Sequence, residues 1–445
     1  MHITARRIVF YSLVAIFIVG GLYAVLSALG LTVATGGTIM RTGSLFVAPI
    51  PRDADLFLGG ALVEESPRFL SGGTLIKTLT PKTYEVRAEH EGRVTWRAEL
   101  PVSAGLVTRA TDVFLWPKQA TSTLVASNTN SFSLSVGIPA IRTESGTLFI
   151  DGVRIPGEEI MYASDDSATL ITRTGNTIYL VGNGPSDSTI NLTSLFHSLK
   201  ERELGLPGIV PLVEVRPHPF SAGKFIIVTE TSLYSLDTRR ISLERLVTLP
   251  DIAATAFNDS EVLLLGSDGN LTAVDLIFKT ADTAPFTSST VSRLTTTADG
   301  GILTALTEDH ALFAYYRASG EHVKVAENVS EFALSQSGNR LSYVSDNTVS
   351  VYFLDRYEGD ALALKGATLH IWEGSAVPRG VQWNSSLSRY LFFVSGGKLV
   401  AAEVGLYGER NHTVLAENVR SFALTGFTAY LVREDGTLVA LSFEE

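Results

Sequence analysis

Cysteine is missing from all 445 residues. Disulfides, thiolate nucleophiles and cysteine-ligated metals are therefore excluded, and stability has to come from packing. Charge is also sparse. Charged residues make up 18% of the chain, the formal net charge is −11, and no run of Lys or Arg builds the concentrated basic face that a phosphate backbone requires. Nucleic acid is excluded as a partner. The eight histidines stand at 2, 90, 197, 218, 310, 322, 370 and 412, with no i, i+4 pair around a Glu, so no zinc site is expected. There is no phosphate loop ending in Gly-Lys-Ser/Thr. Gly182-Asn183-Gly184 has neither the third glycine nor the following helix of a dinucleotide fingerprint. No cofactor is expected. Ser221-Ala222-Gly223-Lys224 fits a bare Ser-x-x-Lys pattern, yet it falls in a hairpin turn without the partner motifs of acylating serine enzymes. The acidic pairs Glu158-Glu159 and Asp165-Asp166 read as solvated loop charges rather than as glycosidase carboxylates.

Apolar material is abundant, at 45% of residues, and a chain of this length folds as two or three units at roughly 100–200 residues each. The most apolar stretch comes first. Ile8 to Leu31 contains no charge and is bounded by Arg7 and Arg41. A bilayer core about 30 Å thick needs roughly 20 apolar residues in a helix, whereas a signal-peptide core has about 7–15. Residues 1–35 are thus expected to be a cytoplasmic tip and a transmembrane anchor, with the lipid bilayer as a partner through Ile8 to Leu31. Arg6 and Arg7 keep the N-terminus inside by the positive-inside rule, which puts everything after about Thr35 outside the cytoplasm. The alternative is a cleaved signal with its site near Ala34.

Past the spacer Thr35-Gly36-Gly37-Thr38, short alternating runs bounded by Gly and Pro indicate strands. They cover 44–48, 55–58, 74–79, 84–90, 94–100 and 108–116. In the fourth run Tyr84, Val86 and Ala88 share one face, while Glu85, Arg87 and Glu89 share the other. Gly43-Ser44-Leu45-Phe46-Val47, Pro51-Arg52-Asp53-Ala54 and Leu56-Phe57-Leu58-Gly59-Gly60 resemble the opening of a PEGA domain. Leu79-Thr80-Pro81-Lys82-Thr83-Tyr84-Glu85-Val86 is similar to the family's "leu-x-pro-gly-x-tyr-x-val" strand. His90-Glu91-Gly92-Arg93-Val94-Thr95-Trp96 is similar to its hairpin. The namesake tetrapeptide is Pro-Arg-Asp-Ala here, and Lys82 stands where the family has Gly. The resemblance implies a small β-sandwich of bacterial envelope proteins over residues 36–117, with no catalytic residues.

The rest, 118–445, is repetitive. AENVSEFALS at 326–335 returns as AENVRSFALT at 416–425. Similar starts fall near Ile160, Val213, Ile252, Ser292 and Arg379, each leading through short strands and a hairpin signal such as Asp268-Gly269, Gly396-Gly397 or Asp435-Gly436. A repeat of about 40 residues built from three or four strands predicts a β-propeller. The starts count to about seven blades, and Thr147 to Pro156 is the expected closing strand. Phe332 to Asp346 resembles the core of WD-type repeats in bacterial periplasmic propellers, with Asp237, Asp275 and Asp355 in the place of the namesake Asp, where a turn cap is the simplest role. The box repeated in sialidase-like propellers is missing.

Two intervals are longer than the others. The first, near 191–204, has helical spacing before Pro207-Gly208. It either covers its own blade or offers Phe196 and Leu199 to a partner. The second brings Trp372 and Arg379, residue types enriched at interface hot spots. The expected protein is an all-β, non-enzymatic scaffold of the bacterial envelope that binds an envelope protein or a cell-wall polymer. The alternatives are a propeller hydrolase acting on envelope carbohydrate, which needs two converging carboxylates, and a structural surface-layer-like element.

Overall fold

A computed structural model describes residues 3–28, 30–33, 39–63, 72–135, 138–143, 147–150, 153–163, 169–181, 189–287, 289–358, 362–384, 386–405 and 411–444. Ala34, the 35–38 spacer, Asp165-Asp166 and Gly182-Asn183-Gly184 lie outside them. The chain forms two compact units. Unit 1 is Met1–Gln119 with Arg356–Leu364 and Ala402–Thr413, and unit 2 is Ala120–Asp355, Lys365–Ala401 and Val414–Glu445.

In unit 1, α1 runs from Ile3 to Ala28. From residue 9 to residue 21 its side chains are all exposed, Phe10, Leu13, Ile16 and Phe17 among them. Among the described residues, no helix is long and apolar enough to cross a membrane. Beyond α1 and two short strand pairs, Leu31–Val33 with Ile39–Arg41 and Tyr357–Glu358 with Leu362–Ala363, seven strands among the described residues form two larger sheets. In one, Gly43–Ile50 lies between Thr74–Leu79, antiparallel, and Val107–Phe114, parallel. The other has the order Ala61–Leu62, Asp55–Leu58, Thr83–Glu89, Trp96–Pro101. The alternation read in Tyr84–Glu89 holds: Val86 and Ala88 are fully buried and Glu85 is exposed. Leu45, Val47 and Val113 from the first sheet and Leu56, Val86, Trp96 and Leu100 from the second share one core, which makes this part a sandwich. Gly43 is required where it stands, because a Cβ there would overlap the Ser103 carbonyl and the Val102 side chain.

Unit 2 is all-β apart from one helix and is propeller-like. Between residues 121 and 442 the described residues contain eight four-stranded sheets, the seventh of which has its residues within 402–413 in unit 1. In chain order, sheet 1 lies within 129–155, sheet 2 within 159–191, sheet 3 within 212–248 and sheet 4 within 252–285. Sheet 5 lies within 291–326, sheet 6 within 329–373, sheet 7 within 379–416, and sheet 8 takes 419–442 together with Thr121–Ala126. The second strands are buried on both faces, as in Lys224–Thr229 and Tyr390–Ser395, and so read as continuous apolar runs. Outermost strands such as Ala281–Pro285 are exposed. All eight first strands carry a register shift against their neighbours, for example between Leu212 and Glu214, Val329 and Glu331, and Val419 and Ser421. A bulge repeated at one place in every sheet bends the first strand and re-aims its side chains.

One expectation is corrected here. The strands of sheet 1, Thr129–Ser135, Ile138–Thr143, Leu148–Ile150 and Val153–Ile155, lie ahead of the seven starts and pair with one another. For the same reason Thr147 to Pro156 does not close the ring. Its two strands find partners within a few residues, at far lower loop-closure cost than the distant C-terminus. The closing strand is Thr121–Ala126, paired antiparallel to Leu438–Ser442 with Thr121 opposite Ser442 and Leu124 opposite Val439.

Candidate functional site

The first strands line two cavities in unit 2. The larger, about 590 Å3, is bounded by Arg293, Glu331, Gln336, Gln382, Trp383 and Asn384. The second, about 450 Å3, is bounded by Tyr162, Arg216, Phe257, Asn258, Asp259 and again Gln336. Apart from Ile226 and Leu276, their walls come from the first strands of sheets 2 to 8 and the turns that follow them. Gln336, exposed in the first turn of sheet 6, borders both.

Side chains on these strands reach the next sheet, which fixes the shape of the cavities. From the second strand of sheet 2, away from both cavities, Arg173 likewise donates to the carbonyls of Leu212 (3.4 Å) and Val213 (2.9 Å) in sheet 3. Arg216 Nε donates to Glu214 Oε1 at 2.8 Å, and Glu214 Oε2 accepts from the Thr255 hydroxyl at 2.6 Å. The Arg216 guanidinium lies 5.6 Å from the Tyr162 ring and 5.7 Å from that of Phe257, a cation between two aromatic faces. Arg293 covers Phe332 at 4.7 Å. Glu331 Oε2 accepts the backbone N–H groups of Gly380 (2.6 Å) and Val381 (3.2 Å). Gln382 Nε2 donates to Phe422 O, Trp383 Nε1 to Ala333 O and Asn384 Nδ2 to Gly426 O. Arg420 donates to the carbonyls of Thr129 (2.7 Å) and Asn130, so sheet 8 meets sheet 1.

The turns bordering the second cavity are stiffened in the same way. Asn258 Oδ1 accepts from Ser260 N (2.8 Å) and Glu261 N (2.7 Å). The Thr297 hydroxyl and then the Gly301 N–H hold the Asp299 carboxyl below the usual carboxylate range. The lining is thus pre-formed. It combines guanidinium groups, side-chain amides and aromatic faces, the donor set that grips carboxylates, amides and hydroxyls. Of its carboxylates, Glu331 is occupied by two amides and Asp259 borders the other cavity. The described residues place no converging acidic pair among the lining groups of either cavity.

The residues singled out in the sequence fall elsewhere. Phe196 and Leu199 lie on α2, Leu192–Leu204, which is capped by Asn191 and ended by Gly205 in the left-handed region. Both are fully buried, in one core with Ile178, Val215 and Leu236, and Phe196 meets Tyr234 edge-on at 5.1 Å. As partner contacts they are therefore corrected: the apolar stripe of the helix is spent on covering sheets 2 and 3. Trp372 and Arg379 sit in the last strand of sheet 6 and the first of sheet 7, and the fold does not bring them to Phe196 or Leu199. Trp372 is half-buried against Phe393 at 5.7 Å, and Arg379 is exposed. Asp237 and Asp275 cap turns. Asp237 Oδ1 accepts from Arg239 N and Arg240 N, and Asp275 Oδ1 from Ile277 N and Phe278 N. Ser221 and Lys224 share the first turn of sheet 3 and border neither cavity described above. Sequence reasoning missed Arg216, Arg293, Gln336 and Trp383. Their one signal was position, the end of a first strand in each repeat.

No protein-family model matches the chain, and no curated protein matches it. Among solved structures, the chain is similar to a chain of the crystal structure of the mitotic checkpoint complex, at 12% identity and a TM-score of 0.39, covering 62% of this chain and 87% of that one. It is also similar to the crystal structure of the computationally designed Ika8 protein, at 12% identity and a TM-score of 0.42, covering 72% and 97% respectively. Likenesses at this level carry no argument, and the fold rests on the sheets themselves.

Proposed function

We propose that this chain is a membrane-anchored binding protein of the bacterial cell envelope that acts outside the cytoplasm and holds a protein or cell-wall polymer in its axial cavities. The eight sheets are read as an eight-bladed propeller closed by Thr121–Ala126, the small sandwich as PEGA-like, and α1 as the anchor. The observation that carries the binding role is the pair of cavities built by successive first strands and joined at Gln336. Their lining is already bonded into shape, which limits the ordering cost of binding. Binding is favoured over hydrolysis because Glu331, which borders the larger cavity, is bonded through Oε2 to two backbone amides and has no second carboxylate beside it among the residues lining that cavity. Uncharged Ile8 to Leu31 behind Arg6 and Arg7 supports the anchor and its orientation.

The test is affinity capture with the full chain in mild detergent, against solubilised envelope and purified wall polymer, beside a Gln336→Trp variant. Gln336 is exposed, so the larger ring fills the junction of the cavities without disturbing a core. A retained ligand should lose at least about tenfold in affinity, about 1.4 kcal/mol. A ligand held equally by both forms would place binding elsewhere, and release of a cleaved polymer would restore the hydrolase reading.

A further inference from the structure

One end of sheets 3 and 4 carries large apolar side chains in the open. Phe220 lies in the first turn of sheet 3, Ile241 in its third turn, and Ile277 and Phe278 in the third turn of sheet 4. Their exposures are 53%, 51%, 55% and 75%. In a four-stranded antiparallel meander the first and third turns fall at the same end, and these sheets are neighbours. A cavity of about 260 Å3 opens between them, lined by His218, Phe220, Ser221, Lys224, Ile277 and Lys279.

Cations flank the apolar tips in sequence, as Arg239-Arg240-Ile241 and Ile277-Phe278-Lys279. The Arg240 side chain is 83% exposed. The acids nearby are engaged: Asp237 and Asp275 accept turn amides, and Glu244 pairs with Lys279 in an exposed bridge of little strength. His218 Nδ1 accepts the Phe220 N–H at 3.2 Å, which fixes the base of that tip. Burial, then the charge of Lys224, holds the His218 imidazole below its usual range, and Lys224 and Lys279 both line the cavity.

Isolated apolar side chains on turn apices, with cations beside Ile241 and Phe278 in sequence and Lys224 in the same cavity as Phe220, match the boundary between acyl chains and phosphates. We infer that this end of sheets 3 and 4 docks on an anionic phospholipid surface, with Phe220, Ile241, Ile277 and Phe278 entering the headgroup boundary and Lys224 and Lys279 meeting lipid phosphates. The docking stands on these turns and does not require α1 as an anchor.

Because the chain has no cysteine, Phe278→Cys gives a single spin-label site in the full-length protein. Val377→Cys supplies the control: it is 60% exposed in the link between sheets 6 and 7, at the other end of the meander. Each label is read in excess vesicles of phosphatidylcholine, alone or mixed with phosphatidylglycerol, by collision with oxygen and with a water-soluble nickel chelate. The label at 278 should move from chelate to oxygen accessibility only when phosphatidylglycerol is present, while that at 377 stays in water. Lys224→Gln with Lys279→Gln should shift docking back by about 30-fold, from roughly 1 kcal/mol per basic residue at an anionic surface. A label at 278 that stays in water on both vesicle types overturns the inference. So does one shielded from oxygen and chelate alike, which would indicate a protein partner.

Discussion

Two kinds of junction hold unit 2 together. Where sheet 2 meets sheet 3, the chain itself runs through α2, and Arg173 adds bonds to Leu212 and Val213. Sheet 8 is closed differently: its strand Thr121–Ala126 runs on through residues 127–128 into sheet 1, so the non-covalent seam lies inside sheet 8, between the two ends of the ring. Thr121–Ala126 pairs with Leu438–Ser442, Thr129 N donates to Gly436 O, and Arg420 bridges to Thr129 and Asn130. The chemistry of the two arginine latches is alike, but only the seam must also hold the two ends of the ring together. Similar contacts should therefore have different consequences in the two places.

The largest effects come from the packing behind each junction. Phe196 at the internal junction and Phe443 at the seam are both buried to within 1%. Phe→Ala at either site should cost about 3–5 kcal/mol in chemical denaturation. The difference should lie in the shape of the transition. Phe196→Ala is expected to keep one cooperative step, whereas Phe443→Ala should loosen sheet 8 first and free the edge of Thr121–Ala126, raising its hydrogen exchange ahead of the rest. Equal exchange profiles would erase the distinction. Retained stability in Phe196→Ala with loss of a partner would return the helix to a binding role.

The seam is also where the sequence was hardest to read. The strands of the sandwich were legible because apolar residues alternate with polar ones, as in Tyr84–Glu89, and the later repeats because strands such as Tyr390–Ser395 are continuous apolar runs between hairpin signals. Sheet 1 offers neither cue. Two of its strands, Leu148–Ile150 and Val153–Ile155, have three residues each, too few for a period to appear. The closing strand Thr121–Ala126 is almost wholly exposed, so no apolar face announces it, and its pairing with Leu438–Ser442 bridges nearly the whole ring. The cavity residues were hidden for a related reason. Arg293 and Gln382 come from separate repeats, as do Tyr162 and Arg216, and only the packing of the sheets makes each pair border one cavity. Phe196 and Leu199 misled because helical spacing shows which face is apolar without showing what covers it.

The two latches allow a direct comparison of the junctions. Arg420→Ala and Arg173→Ala each remove a charged donor from backbone carbonyls, and each should cost about 1.5–3 kcal/mol. If the seam is special, Arg420→Ala should also increase protease nicking near Thr121–Ala126, while Arg173→Ala leaves it unchanged. Identical nicking in the two variants would mean that the ring does not distinguish its seam from its other junctions.

The smallest effect belongs to turns that serve no junction. Asp237 caps the third turn of sheet 3, and the backbone N–H of Arg240, then that of Arg239, holds its carboxyl below the usual range. A carboxyl whose folded pKa is depressed contributes stability that is complete above its unfolded value and is lost as pH falls through the lower folded value. Asp237→Asn keeps an acceptor for the two amides but removes the charge, and should cost under about 1 kcal/mol at neutral pH, less than outright loss of the cap. The penalty should shrink on acidification below the ordinary aspartate range, because the native carboxyl is then neutralised too. Neither junction should respond, so the exchange rates of Thr121–Ala126 and of α2 are expected to match those of the unsubstituted chain at every pH. A variant whose penalty stayed constant down to strong acid would show that the cap works through hydrogen-bond geometry alone, leaving the carboxylate charge without a part in holding the turn.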